Sequence, residues 1–199
     1  MIKTNLINNS SLILLTATLL IGCGGASSTP IGNNAAKGEV IELSTNKQDL
    51  LDALNKARSI ARDCYPNDPK RGQMEATHPL TWNTNLYASA LEHSTDLANS
   101  DTFSHSGSGT EHDTTGNGKP SEFFDRILAN GYTNYYTVGE NIAGGQKDLE
   151  EVMEAWLKSP GHCVNIMKDS YDEVGIAIVT NEDSTYGIYW TQNFGSKHK

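Results

Sequence analysis

Helix-type and strand-type hydrophobic patterns occupy separate parts of this 199-residue sequence. Two late segments, 174–180 and 186–194, run apolar or alternate, and the polar linker between them predicts a β-hairpin. Earlier segments carry apolar residues three and four positions apart, which is typical of amphipathic helices. These helical segments span 47–62, 84–100, 121–130 and 148–159. Helices followed by strands favour an α+β fold, with the helices packed on a small, mainly antiparallel sheet.

The charge balance argues against one class of partner. Fifteen basic and 24 acidic side chains give a formal net charge of −9. Nucleic-acid backbones bind positively charged surfaces, so we expect no nucleic-acid partner. Hydrophobic residues make up 37% of the chain, which excludes a protein with many membrane spans.

The first 22 residues are typical of a secretory signal peptide. Lys3 precedes an uncharged, mostly apolar run from Leu12 to Ile21. This run is too short to cross a hydrocarbon core, which takes about 20 residues. It ends in the sequence LIGC at 20–23, which resembles the bacterial lipobox, where the cysteine becomes the acylated N-terminus after cleavage. An ordinary signal peptide that is cut nearby is the alternative.

Residues 23–46 are rich in Gly, Ser, Thr, Asn and Ala. This composition predicts a flexible tether behind a lipidated Cys23, so the folded domain occupies 47–199. The lipid would hold the protein at a membrane of the cell envelope, the outer membrane if the host is Gram-negative. The domain would then lie in the periplasm or outside the cell.

Three cysteines leave one pair, Cys64 and Cys163, once Cys23 is lipidated. An exported chain lives in an oxidising compartment, where such a pair tends to be bridged. We therefore expect a Cys64–Cys163 disulfide. Two buried free thiols are the alternative.

Seven short motifs occur in an order that is typical of one family. They are PLTWN at 79–83, ALEHS at 90–94, FSHS at 103–106, GENIA at 139–143, WLKSPGHCVNIM at 156–167, VGIA at 174–177 and YWTQ at 189–192. From about Gln48 to Gly195 the chain resembles the bacterial SCP-domain branch of the CAP superfamily (cysteine-rich secretory proteins, antigen 5 and pathogenesis-related 1 proteins). The resemblance implies an α-β-α sandwich. It also implies a cysteine after the first helix and one after Pro-Gly-His, in agreement with the expected disulfide.

The resemblance also implies a set of cleft residues. Eukaryotic members place two histidines and two glutamates in a central cleft, and His105 and Glu140 match one of each. The other two positions hold Ser159 and Tyr189 in this chain. His162, in the Ser-Pro-Gly-His segment, is our candidate to enter the same cleft. The predicted ligand-binding set is therefore His105, Glu140, His162 and Tyr189.

These residue types suit a metal ion or a hydrogen-bonded pair. Neutral imidazole and carboxylate ligate Zn²⁺, so His105, Glu140 and His162 are the candidate ligands for a divalent metal, although no cofactor is required. A His–Glu hydrogen bond also fixes the imidazole tautomer. The other interpretation is structural: His105 bonds across a buried seam, Glu140 caps a turn at Asn141, and His162 orients the loop that holds Cys163.

Two further interpretations concern single residues near these motifs. His93 lies on the second helix, four residues before Leu97, and is interpreted as a core or helix-face residue rather than a ligand. Three tyrosines that precede the Gly-Glu-Asn segment are interpreted as part of a loop that packs on the sheet. They are Tyr132, Tyr135 and Tyr136.

Three functions follow from the motifs and the resemblance. The first is an envelope protein that binds a lipid, a cell-wall component or another protein in the His/Glu-lined cleft. The second is a metal-dependent hydrolase or peptidase that uses the same cleft, and the third is a purely structural envelope protein. The sequence holds neither a nucleophile elbow nor a His-Glu-x-x-His motif, so it favours binding and assigns no catalytic residue.

Overall fold

The computed structural model describes residues 41–42, 46–68 and 71–198. The predicted signal peptide and Cys23 lie outside these residues, as does most of the predicted tether. None of the helices within the described ranges is long and apolar enough to cross a membrane.

The four predicted helices all form, and a fifth follows the last of them. In chain order the helices are α1 Lys47–Arg58, α2 Thr84–Ser100, α3 Phe123–Ala129, α4 Leu149–Lys158 and α5 Pro160–Met167. The sequence interpretation ended α4 at Pro160 and missed α5. Pro160 is the first residue of α5, where its fixed φ and missing N–H are compatible with a helix.

The strands form one main sheet and a separate two-stranded ladder. They are β1 Ile41–Glu42, β2 Arg62–Asp63, β3 Gln73–Met74, β4 Thr81–Trp82, β5 Tyr135–Gly144, β6 Glu173–Thr180 and β7 Ile188–Lys197. The main sheet has the order β1-β6-β7-β5 with antiparallel neighbours, and β4 pairs with β6 in parallel. The predicted hairpin is confirmed as β6 and β7. β2 pairs with β3.

Strand β5 corrects one sequence interpretation. Tyr135 and Tyr136 are part of a ten-residue strand instead of a loop, and Glu140 lies in its middle instead of at a turn. The second half of the strand is buried on both faces, including the polar residues Glu140 and Asn141. Burial on both faces removes the alternation of apolar and polar residues from which strands are usually predicted.

Helices cover both faces of the main sheet, which confirms the expected α-β-α sandwich. On one face α1, α4 and α5 share a core with Ile176 and Trp190. On the other face α2 packs on Val179 and Tyr189. The approach of α2 to the sheet is close: a Cβ on Gly175 would lie 2.0 Å from the backbone nitrogen of Tyr87, so only glycine fits there.

The predicted disulfide is confirmed. Cys64 and Cys163 are bonded, with their Cα atoms 5.5 Å apart and both side chains buried. The bond joins the segment that follows β2 to the first half of α5. It therefore fixes the helix that also carries His162.

Candidate functional site

A buried carboxylate and a half-exposed imidazole form the centre of the site. His105 lies in the segment after α2, and its Nδ1 is 2.9 Å from Oε1 of Glu140. Glu140 is in β5, directly opposite Asn193 of β7 in the ladder. The Glu140 side chain is 1% exposed, whereas that of His105 is 52% exposed. Because a carboxylate can only accept, Nδ1 of His105 is the donor, and Nε2 of the neutral ring carries the lone pair.

Arg126 of α3 neutralises the buried carboxylate. Its guanidinium is 1% exposed and places Nη2 3.0 Å from Oε2 of Glu140. The same nitrogen donates to the backbone oxygen of His105 at 2.8 Å, and Nη1 donates to the backbone oxygen of Ser121 at 2.9 Å. One arginine therefore holds the carboxylate, the loop of His105 and the start of α3 together.

Two more buried groups contact this pair from α2 and β7. Nε2 of His93 is 3.0 Å from the backbone oxygen of Ser104 and 3.7 Å from Oε1 of Glu140. Nδ1 of His93 has no hydrogen-bond partner among the described residues. The side-chain amide of Asn193 is satisfied when its nitrogen donates to Oε2 of Glu140 at 3.2 Å and its oxygen accepts from Ser89 Oγ.

These contacts set the protonation states of the buried groups. Burial opposes the ionisation of Glu140, but the hydrogen bond from His105 and the charge and hydrogen bonds of Arg126 outweigh it and lower the pKa of the carboxyl. Burial also lowers the pKa of His93. The charge of Glu140 opposes this effect, and the charge of Arg126 acts in the same direction as burial. We therefore describe the site with Glu140 ionised and His93 neutral.

His162 faces the same cavity as His105. It lies in the first turn of α5, and burial lowers its pKa. The cavity measures about 400 Å³ and lies beside edge strand β5. Its lining residues are Phe103, Ser104, His105, Ile142, Ala143, Gly144, Gln146, Ala155, Trp156, Ser159, His162 and Tyr186.

The structure groups the predicted cleft residues differently from the sequence interpretation. His105 and His162 line the cavity, and Glu140 lies behind His105 as its hydrogen-bond partner. Tyr189 was predicted to line the cleft, but the structure places it elsewhere. Its ring is fully buried against Leu97, and its hydroxyl donates to Asp101 at 3.2 Å. It points to the α2 face of the sheet because residues alternate faces along β7.

The donor set does not fit a metal ion held by His105, Glu140 and His162. Both oxygens of Glu140 are engaged by Arg126, and Nδ1 of His105 is engaged by Glu140. A fully buried guanidinium 3.0 Å from the carboxylate would also repel a cation placed there. Within the described part of the chain, no three His, Cys, Asp or Glu side chains form a group able to hold a metal.

Sequence reasoning missed Arg126, although a signal was present. Arg126 lies three residues after Phe123 and directly before Ile127 in α3, so helical spacing places it on the buried side. A charged residue at a core position is rarely buried unless it is paired, which points to a buried partner. The partner, Glu140, is 14 residues away on a strand, and no local pattern indicates that pairing.

The sandwich and the order of its elements define the class of protein. The model of the cysteine-rich secretory protein family, CAP, matches residues 51–194, and the chain belongs to this family. The family assignment agrees with the resemblance drawn from the motifs.

Relatives and solved structures add detail. The uncharacterized protein YkwD of Bacillus subtilis is 34% identical over 125 residues, which are 63% of this chain and 42% of YkwD. A crystal structure of an extracellular SCP-domain protein from Bacillus anthracis matches 75% of this chain and 40% of its own, with 25% identity and a TM-score of 0.54. An outer surface protein of Borrelia burgdorferi shares the fold at 19% identity and a TM-score of 0.56, over 80% of this chain and all of its own. This chain thus spans less than half the length of the two Bacillus proteins.

Proposed function

We propose that this protein is an exported CAP-domain protein that binds a ligand in the cavity beside β5. One observation carries the proposal: two imidazoles, His105 and His162, share a mostly apolar cavity of about 400 Å³. Ligand sites are typically clefts of this size, lined by apolar side chains with a few polar groups that orient the ligand. The buried Arg126–Glu140 pair holds His105 in one orientation in advance of binding.

Export and anchoring form the second part of the proposal. The signal-peptide pattern of 1–22, the LIGC segment at 20–23 and the Cys64–Cys163 disulfide support an exported bacterial lipoprotein. The description of the Bacillus anthracis protein as extracellular supports the same location. Lipid on Cys23 then ties residues 47–199 to the cell envelope through the tether.

Binding is tested with the purified full-length protein in detergent. Thermal shift and calorimetric titration against lipids, cell-wall fragments and peptides should give at least one saturable ligand. His105→Ala should abolish that binding, whereas His112→Ala, which changes a partly exposed loop histidine outside the cavity lining, should not. If every class is negative at millimolar concentration, the cavity is not a binding site and the structural envelope role replaces it.

Anchoring is tested by Cys23→Ser. The native protein should incorporate a labelled fatty acid and sediment with membranes, and the variant should do neither. A variant that stays with the membrane would contradict the lipid anchor at Cys23.

The two alternatives from the sequence have less support. Metal-dependent hydrolysis loses its stated ligand set, because Glu140 is engaged by Arg126. A purely structural role gives no reason for an imidazole whose Nε2 has no hydrogen-bond partner among the described residues to line an open cavity.

A further inference from the structure

The cavity offers a hydrogen-bond acceptor, and none of its described lining residues carries a permanent charge. Nε2 of His105 is the acceptor of the neutral ring, because Nδ1 donates to Glu140. Oε1 of Gln146, another lining residue, also lacks a hydrogen-bond partner within the described residues, but this atom is shielded from solvent. Nε2 of the half-exposed His105 is therefore the acceptor that a ligand can reach. An acceptor without a partner favours a ligand that carries hydroxyl or N–H donors.

The described lining residues include no permanently charged side chain that would balance a charged ligand. None of the described residues that line the cavity is Lys, Arg, Asp or Glu. The nearest ion pair, Arg126 with Glu140, is internally compensated and 1% exposed on both sides. A permanently charged ligand would lose its hydrating water on entering the cavity and would find no opposite charge there.

Two aromatic rings form the rim of the cavity. Phe103 and Tyr186 are each 43% exposed, and their ring centroids are 5.0 Å apart at an interplanar angle of 50°. Large exposed apolar side chains that cluster at a cavity mark a contact surface. Trp156, Ile142 and Ala143 extend the apolar surface into the cavity.

A hydrogen-bond acceptor and two exposed rings together suit a ligand that combines hydroxyl donors with apolar faces. A sugar ring presents hydroxyl donors around its edge and C–H groups on its faces, and it carries no charge. We propose that the cavity binds a sugar unit of a neutral glycan, with a hydroxyl or acetamide N–H donating to His105 and a face of the ring against Phe103 and Tyr186. This assignment rests on the proposed function and narrows it to a ligand class.

The test uses full-length protein and tri-N-acetylchitotriose and maltotriose as the neutral probes. Calorimetry at pH 7.5 should show saturable binding of at least one trisaccharide. His105→Ala, Phe103→Ala and Tyr186→Ala should each weaken binding at least tenfold. Phe124→Ala, which removes a ring of similar exposure on α3 away from the cavity lining, should leave the affinity within twofold.

Octanoate and octylammonium are the charged, amphipathic comparison ligands. If either binds through His105 and neither trisaccharide does, the sugar assignment is overturned, although the cavity remains a binding site. If no probe of either kind binds, the sugar assignment fails, and the broader screen of lipids, cell-wall fragments and peptides decides the proposed function separately.

The pH dependence separates a neutral ligand from an anion. His105 is faced by Glu140 from β5, Arg126 from α3, His93 from α2 and His162 from α5. Protonating the imidazoles would strengthen binding of an anion, but it gives a neutral sugar no new charge attraction. The trisaccharide affinity should therefore not rise from pH 7.5 to pH 5.5, and a tenfold rise would overturn the assignment.

Discussion

At the scale of single residues, the pairing of Arg126 with Glu140 decides what the site can do. Both side chains are buried, and the carboxylate has donors from His105 and Arg126 and a further one from Asn193. Buried ion pairs add little net stability, but removing one member leaves the other uncompensated. The pair therefore makes Glu140 an internal counter-ion that orients His105 rather than a group open to the cavity.

Replacing this carboxylate tests the pairing. Glu140→Gln should lower the free energy of unfolding by about 3–5 kcal/mol, because Arg126 would keep its charge without a counter-ion. Urea unfolding followed by tryptophan fluorescence measures the change. Glu150→Gln, at an exposed position in α4, should cost under about 0.5 kcal/mol. Equal effects of the two substitutions would show that the buried pair is absent.

A second residue-scale prediction concerns His93 and acid. Burial lowers its pKa in the folded protein, so below about pH 6.5 the unfolded chain binds a proton that the folded chain does not. Stability present at neutral pH is therefore lost as the pH falls from about 6.5 toward the folded pKa. The contribution of His93 approaches about 1.4 kcal/mol per pH unit, which is the value for one proton.

Unfolding curves between pH 7.5 and pH 5 measure this slope in matched variants. His93→Gln keeps a donor for the backbone oxygen of Ser104 and should flatten the slope, leaving the smaller part due to His162. His112→Gln, which changes a partly exposed loop histidine, is the matched substitution for comparison. A native slope that survives His93→Gln would show that His93 is not the responsible group.

Sequence reasoning at this scale found the residues that carry local motifs. His105 and Glu140 were singled out, and the Cys64–Cys163 pair followed from cysteine counting. Arg126 and Asn193 were not predicted as site residues, because their roles depend on contacts between distant elements and no local spacing indicates such contacts. Tyr189 was misplaced because the motif gave its position in the chain but not the face of β7 to which it points.

At the scale of elements, β5 and the pair α4–α5 shape the cavity. The free edge of β5 is covered by side chains: Tyr171 donates to the backbone oxygen of Val138, and Asn165 to that of Glu140. Trp156 donates to that of Ile142 at 3.1 Å. Covering an edge strand in this way blocks pairing with another chain. It also leaves the second half of β5 beside a cavity instead of a partner strand.

The disulfide is the element-scale feature that holds α5. Replacing Cys64 and Cys163 by alanine should lower the free energy of unfolding by about 3–5 kcal/mol, because the bond closes a loop with a sequence separation of 99. Urea unfolding of the native protein with and without dithiothreitol should reproduce that difference. The double variant should be insensitive to the reductant. A native protein that is equally insensitive after unfolding and refolding in reductant would contradict the stabilising role of the bond.

Helix prediction succeeded where one face is apolar, and strand prediction missed β5, whose buried half holds polar residues. α2 was predicted with its observed bounds, because its stripe contains Leu86, Ala90 and Leu97 and because Asn83 caps it. β5 was missed because polar residues in its buried half are satisfied by other elements. α5 was missed because Pro160 both follows α4 and begins a new helix.

At the scale of the whole molecule, a three-layer domain of the CAP family holds a cavity at the edge of its sheet. The α+β class followed from the order of the segments, and the sandwich followed from the resemblance. The site could not be assembled from sequence, since it joins α2, α3, β5, α5 and the loop after α2. Export, the lipid anchor and the ligand class are proposals that depend on this arrangement.

The central claim is that Arg126 engages Glu140 and so leaves no metal site among the described lining residues of the cavity. Titration of Zn²⁺ into the full-length protein and into its His105→Ala variant tests this claim most directly. Arg126 engages Glu140, and the described residues hold no third ligand next to His105 and His162. We therefore predict no one-to-one binding of Zn²⁺ that depends on His105. One-to-one binding that disappears in His105→Ala would contradict the account and would make the cavity a metal site.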